Sequence, residues 1–262
     1  MSYCIYISTF DKRAIKITGG IPIEVGAAMR EEYVYPLHDD SGDNISYENP
    51  YYGELTGLYW VWKNTQIEDN DIIGFCHYNK ALSISNGKAV CWLRNYPNGF
   101  ITGKPNRIRN HPVPNEVKAM LDGVVTSGEK YLEAWNNLYD DEAAAKFACC
   151  RGGNTFITTG VQLKAYCEWL FSVLTTMRKD VGDKDDAEPY WRRYCAYAGE
   201  RLLSVYIEAN DLPVKSCQLR YKEWWLPLGR KMIHLLHLNK KGCLYKLLRE
   251  LFGYKSQYNH NN

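Results

Sequence analysis

Residues 42–64 read Gly42-Asp-Asn-Ile-Ser-Tyr-Glu-Asn49-Pro50-Tyr-Tyr-Gly-Glu54-Leu-Thr-Gly-Leu-Tyr-Trp60-Val-Trp-Lys-Asn64; residues 71–80 read Asp71-Ile-Ile-Gly-Phe-Cys-His77-Tyr-Asn-Lys80. A polar loop leads into an aromatic helix and then into a buried strand. Asn49 is a capping residue type and Pro50 suits the first helical position. Tyr51, Leu55, Leu58 and Trp62 recur at helical spacing and predict one buried face, with Glu54, Thr56 and Lys63 outside it. Ile72 to Cys76 is a short, continuously apolar run, as in a strand buried on both faces. It ends abruptly at His77-Tyr78, and polar groups at the carboxyl ends of strands are where α/β proteins bind ligands. Asp71 lies at the opposite end, where a capping role suits it.

Outward from this block, residues 3–8 read as a first strand ending in a loop at Ser8-Thr9-Phe10, and Ile21 to Val25 as a weaker extended segment. Gly99 to Thr102 and Thr155 to Thr158 are further strand candidates. Helices are predicted over Asn115 to Leu121, after Gly160 (Leu163, Tyr166, Leu170 and Val173 on one side), and from near Pro189 through Ile207. Alternating strands and helices predict an α/β fold with a mostly parallel sheet and flanking helices. Residues 1–220 are read as the catalytic domain and residues 221–262 as a tail.

The 262 residues suit one α/β domain, or one domain with an appendage. The net charge of +2 hides an asymmetry: Val214 to Asn262 carries ten Lys or Arg and two Glu, a net of +8, which leaves −6 on the rest. In the tail, Leu244, Leu247, Leu248 and Leu251 form a stripe beside Lys240, Lys241, Lys246 and Arg249, behind Trp224-Trp225. Such a basic amphipathic helix lies on an anionic membrane surface rather than across it. The paired Trp and the Leu stripe favour lipid over nucleic acid. The nine Cys are odd in number, with no Cys-x-x-Cys pair and no zinc spacing. With a first strand starting at residue 3 and no signal-like segment, reduced thiols in a cytoplasm are expected.

Several groups could carry chemistry. Glu200 beside Arg201, inside an apolar helix, is a candidate general base for activating a hydroxyl; the rival is a surface ion pair, which on sequence alone is favoured. Asp39, Asp40, Asp43 and Glu48 make an acidic loop with Asn44 and Asn49, suited to a hard cation or to a solvated turn. His77 and Tyr78 gain weight from their position after a buried strand. Lys104, Arg107 and Arg109, with His111 nearby, could hold a diphosphate or form an exposed basic loop. Walker, Gly-x-Gly-x-x-Gly, Gly-x-Ser-x-Gly and His-Glu-x-x-His motifs are absent, and the acidic run Asp183-Lys-Asp185-Asp186 reads as a solvated loop.

Gly-Asp-Asn-Ile-Ser, Asn-Pro-Tyr-Tyr-Gly-Glu-Leu-Thr, Asp71-Ile-Ile-Gly-Phe-Cys-His-Tyr, Tyr166-Cys-Glu-Trp-Leu-Phe and Glu200-Arg-Leu-Leu together resemble a bacterial family first catalogued as a domain of unknown function. Its members sit among capsular and exopolysaccharide glycosyltransferases. The resemblance covers roughly residues 3–220. It implies a glycosyltransferase-A-like fold and transfer of a sugar from a nucleotide donor, a UDP-sugar with UDP-galactose the first candidate. The acceptor implied is a hydroxyl of a polyprenyl-diphosphate-linked glycan in capsular, exo- or O-polysaccharide synthesis. Glu200 would be the base. Thr9, Asp40, Asp43, Asn44, Tyr52, His77, Tyr78 and Lys80 would face the donor. Lys104, Arg107, Arg109 and Arg201 would face the diphosphate, and Glu54 and Trp60 the acceptor. Manganese or magnesium is the implied cofactor, with its ligands left open. The family continues His-Tyr with two Arg where this chain has Asn79-Lys80. The tail would hold the enzyme at the inner face of the plasma membrane, with no nucleic-acid partner. The rival is a non-catalytic glycan-binding or scaffold protein of the same pathway.

Overall fold

A computed structural model of the chain describes residues 2–10, 12, 14–109, 114–139, 147–187 and 192–222. It divides into two units, residues 1–219 and 220–262. Of the second unit only residues 220–222 are described, so the amphipathic helix expected in the tail lies outside the described residues, as does His111.

The first unit is built on a mixed sheet. Strands β1 (Tyr3–Thr9), β2 (Gly20–Glu24) and β3 (Ile72–His77) run parallel, with β1 in the middle. A short strand β4 (Lys80–Leu82) turns back from the end of β3. Beyond β3 come β8 (Phe156–Thr159), β5 (Phe100–Gly103) and β9 (Val214–Cys217). The sheet is mostly parallel, as expected; besides the short β4, β8 runs antiparallel to both its neighbours, β3 and β5. A separate hairpin pairs β6 (Asn106–Arg109) with β7 (Phe147–Cys150), and β10 (Leu219–Tyr221) closes the described chain.

Side-chain alternation sorts the strands onto two cores, because successive residues of a strand point to opposite faces. Tyr6, Ile73, Phe75, Phe100 and Phe156 point to one face, where α2 (Leu55–Asn64), α4 (Pro114–Thr126), α5 (Glu129–Leu138), α6 (Gly160–Val181) and α7 (Tyr194–Ala209) pack. Ile5, Ile7, Ile72, Cys76, Ile101 and Ile157 point to the other, where α3 (Asn86–Asn95) contributes Ala89 and Leu93. The aromatic richness is mostly core: Phe100, Phe156, Tyr166 and Tyr206 meet at ring separations of 5.1 to 6.3 Å. Burial of each such large apolar side chain stabilises the fold by about 1.5–3 kcal/mol.

The continuous helix expected from Asn49 is broken. α1 (Asn49–Tyr52) stops at Gly53, whose φ of 53° halts the helix before α2 begins at Leu55. Asn49 does not cap the start. Its Nδ2 donates forward to the Gly53 carbonyl at 2.7 Å and to Thr56 Oγ1 at 3.1 Å, bracing the break. Glu54 and Thr56, expected outside the buried face, are 5% and 0% exposed. The kink therefore turns a predicted surface carboxylate inward. The helix expected from Pro189 begins at Tyr194; residues 188–191 lie outside the described set.

Candidate active site

The reversed direction of β8 decides where the site forms. Register places Phe156, at the start of β8, beside Phe75 near the end of β3. The turn Arg151-Gly152-Gly153-Asn154 thus lies at the same rim as the carboxyl ends of β1, β3 and β5. α7 packs against this rim: a Cβ on its Gly199 would meet Leu55 at 2.7 Å and Asn154 Oδ1 at 3.3 Å.

At this rim Glu54, His77 and Glu200 converge, with one ligating atom from each lying within 4.8 Å of the others. The buried Glu54 carboxylate is held from two sides. Asn154 Nδ2 donates to Oε1 at 2.7 Å, and Arg193 Nη2 reaches Oε2 at 3.2 Å. His77 Nε2 stands 3.0 Å from Glu54 Oε1, but out of line for a hydrogen bond, and that buried nitrogen has no other hydrogen-bond partner. Burial acts to raise the Glu54 pKa. The neighbouring His77, with Arg193 and Asn154, outweighs it and holds the carboxyl well below the usual range, so the group is ionised at neutral pH. Lys80 and Glu200 both approach the bare backbone of Gly153: a Cβ there would lie 2.6 Å from Lys80 Nζ and 2.9 Å from Glu200 Oε1. Gly153 has a φ of 68°, which favours glycine as well. Beneath them, the Cys150 thiol is pushed up to about 12, first by burial and then by the Glu200 charge. It is a protonated floor rather than a nucleophile.

Four residues singled out from the sequence, Glu54, His77, Lys80 and Glu200, thus meet, and Glu54 takes a central place beside His77. Thr9 is buried at the end of β1, where its carbonyl accepts from Val25 N at 2.9 Å. The Tyr78 ring packs edge-on against Phe10 at 4.9 Å. The acidic loop is knitted into the protein. Asp39, fully buried, accepts from Gly26 N at 3.0 Å, Ala27 N at 3.1 Å and the Ser46 hydroxyl at 2.5 Å. Asp40 accepts from Tyr33 and pairs with His38; burial opposes ionisation, but these two partners hold its carboxyl below the usual range. Asp43 accepts from the Tyr59 hydroxyl at 3.0 Å, Asn44 bonds to Gly42 and Ser46, and Glu48 pairs with Arg178 at 2.7 Å.

Tyr52, Trp60 and Arg201 have partners outside this cluster. The Tyr52 hydroxyl donates to Leu174 O at 3.4 Å, and Trp60 Nε1 to Ser41 O at 2.9 Å, both from buried rings. Arg201, 4% exposed, donates to the Tyr197 carbonyl and lines a small cavity with Glu116, Met120 and Met177. The surface ion pair imagined for Glu200 and Arg201 is absent, because adjacent helical residues point in different directions. Lys104 is exposed after β5, and Arg107 and Arg109 lie on β6. Asp71 holds Ser2 N and Glu68 N at the start of β3, as a capping role requires.

Asn154 and Arg193 were not read from the sequence. The Gly-Gly pair ahead of Asn154 marks a tight turn entering a strand and could have drawn attention to it. Nothing in the pattern around Arg193 distinguishes it from other surface arginines.

Comparison with solved structures aligns the chain with the apo structure of the bifunctional glycosyltransferase WbbM at a TM-score of 0.69 and 23% identity. The alignment covers 84% of this chain and 45% of that one, so this chain spans under half the length of WbbM. The likeness establishes the fold. No curated protein sequence matches significantly. The family model described as a domain of unknown function, DUF4422, matches residues 5–139 and 108–211. These matches take in most of the sheet and every residue of the Glu54–His77–Glu200 cluster, and the chain belongs to the DUF4422 family.

Proposed function

We propose that this protein is a sugar-nucleotide-dependent glycosyltransferase. The observation that carries the reading is the convergence of Glu54, His77, Lys80 and Glu200 at the carboxyl rim of the sheet. Open α/β sheets bind ligands at that rim, and the fold is like that of a glycosyltransferase. The donor is a UDP-sugar, with UDP-galactose the first to try. The acceptor is a hydroxyl of a polyprenyl-diphosphate-linked glycan in surface-polysaccharide synthesis.

Each residue has work in such a reaction. Glu200, half-buried on α7, takes the acceptor's proton as the oxygen bonds to the anomeric carbon. The bond from that carbon to the diphosphate breaks, and its electron pair leaves with the nucleoside diphosphate. Lys80 is a point charge placed to receive that developing negative charge. Arg193 and Asn154 fix Glu54, and Glu54 in turn positions His77. Thr9 and Tyr78, at the ends of β1 and β3, border the donor. The basic tail holds the enzyme against anionic lipid, where the acceptor lies. Among the described residues no helix is long and apolar enough to cross a membrane.

The test is a thermal-shift and turnover screen of the whole chain against a panel of nucleotide sugars. A ligand that binds only the folded state raises the melting temperature by mass action. A shift with one nucleotide sugar, followed by release of its nucleoside diphosphate, supports the reading and names the donor. Neither a shift nor hydrolysis at millimolar concentration would leave a glycan-binding or scaffold role.

A further inference from the structure

We propose that Glu54, His77 and Glu200 form a divalent-cation site that selects a first-row transition metal, such as manganese, over magnesium. The inference deepens the transferase reading and rests on it for the negatively charged ligand the cation would face; Glu200 would ligate through one carboxylate oxygen and take the acceptor's proton on the other.

The three groups come from three elements: the turn before α2, the end of β3 and the middle of α7. Their ligating atoms already lie within 4.8 Å of one another. Two ligands at about 2.1 Å on neighbouring positions of one ion stand roughly 3.0 Å apart, and opposite ones roughly 4.2 Å apart. The 3.0 Å between His77 Nε2 and Glu54 Oε1 is that neighbouring spacing, and the two atoms are not aligned for a hydrogen bond. Glu200 supplies the third ligand atom within the same 4.8 Å.

A second observation is independent of this spacing. Buried polar atoms are ordinarily hydrogen-bonded. Here His77 Nε2 has no such partner, and neither does Oδ1 of Asn154, the 1% exposed residue that holds Glu54. Unmatched nitrogen and oxygen atoms around two carboxylates call for a cation. The outer contacts are also those of a metal site, where partners behind the ligands fix their orientation. Asn154 holds Oε1 and Arg193 holds Oε2 of Glu54.

Charge fits as well. Two carboxylates are balanced by Arg193 and Lys80. A doubly charged ion would leave the centre positive, matched to a diphosphate. The imidazole sets the selectivity. Magnesium prefers oxygen ligands and keeps its waters, whereas nitrogen donors strengthen binding of the transition metals.

The test is a titration of the full chain with Mn2+ alone, followed by electron paramagnetic resonance of the free ion. One ion bound per chain, not displaced by a tenfold excess of Mg2+, is the expected result. His77→Ala and Glu200→Gln should each weaken binding at least tenfold, while Asp122→Asn, on the exposed face of α4, leaves it unchanged. If the His77 variant does not fold, paramagnetic broadening of the His77 ring signal in the unaltered protein reads the same contact. No Mn2+ uptake at millimolar concentration, equal displacement by Mg2+, or unchanged affinity in the Glu200 variant overturns the proposal. Because no nucleotide is present, uptake of Mn2+ together with failure of every nucleotide sugar to bind would sink the transferase reading and keep the metal site.

Discussion

Arg193 lies against the bare Cα of Gly53: a Cβ there would sit 2.3 Å from its Nη2, the same nitrogen that reaches Glu54. The residue that breaks the helix also makes room for the cation that fixes the buried carboxylate. Gly53→Ala therefore meets two obstacles, a backbone at φ 53° and a displaced guanidinium. Loss of about 1–3 kcal/mol is expected from the backbone alone. Misplacing Glu54 by an ångström should lower turnover by roughly a hundredfold. Urea melts and donor turnover on the same preparation check both; an unchanged rate would show that Arg193 does not matter to the site.

Glu200→Gln should separate chemistry from folding. The side chain is only half-buried and makes no hydrogen bond or ion pair among the described residues. Stability should stay within about 0.5 kcal/mol of the parent. Transfer should fall about 10²- to 10⁴-fold if it removes the general base. A near-normal rate with a folded protein would assign the proton elsewhere.

Asp39→Ala should do the opposite. It strips the acceptor from three buried donors, Gly26 N, Ala27 N and the Ser46 hydroxyl. Each stranded donor costs about 1–3 kcal/mol, so a loss of at least about 3 kcal/mol is expected. The urea midpoint should drop without a change of slope. A neutral result would mean that the loop rearranges freely and Asp39 is not structural.

Alkaline pH should unfold the protein through its core phenols. Tyr6 and Tyr206 are pushed up to about 12, chiefly by burial, with Cys4 and Tyr131 adding to it. The folded state favours the neutral phenol, and an unfolded tyrosine titrates near 10. The contribution is full below about pH 10 and is lost as pH rises towards 12. Tyrosinate absorbance and loss of far-ultraviolet circular dichroism should climb together. Ionisation of these tyrosines well before unfolding would contradict their burial.

The sheet was largely legible, because alternation and continuous apolar runs are local properties. Ile72 to Cys76 announced β3, and the resemblance pointed to Glu200 and His77. Three features escaped. The helix break at Gly53 was hidden because Asn49-Pro50 and the apolar spacing both argued for an uninterrupted helix. The reversal of β8 was invisible because Thr155-Phe-Ile-Thr158 reads the same in either direction. Arg193 pairs with a residue 139 positions away, and no local pattern encodes such a partner. The acidic loop stayed open between a cation site and a turn for a related reason: the partners of Asp39, Gly26 N, Ala27 N and the Ser46 hydroxyl, follow no local pattern.

The antiparallel course of β8 has a consequence in time as well as in space. By running against its neighbours, β8 delivers Asn154 to a rim otherwise built from strand ends, and Glu54 must wait for partners 100 and 139 residues further along the chain. Contacts so distant in sequence form slowly. On the ribosome, a chain halted before Arg193 lacks both Arg193 and Glu200 and cannot assemble the Glu54–His77–Glu200 cluster. The cluster can be completed only once nearly the whole of the first unit has emerged, so the donor proposed above would meet either a finished site or none.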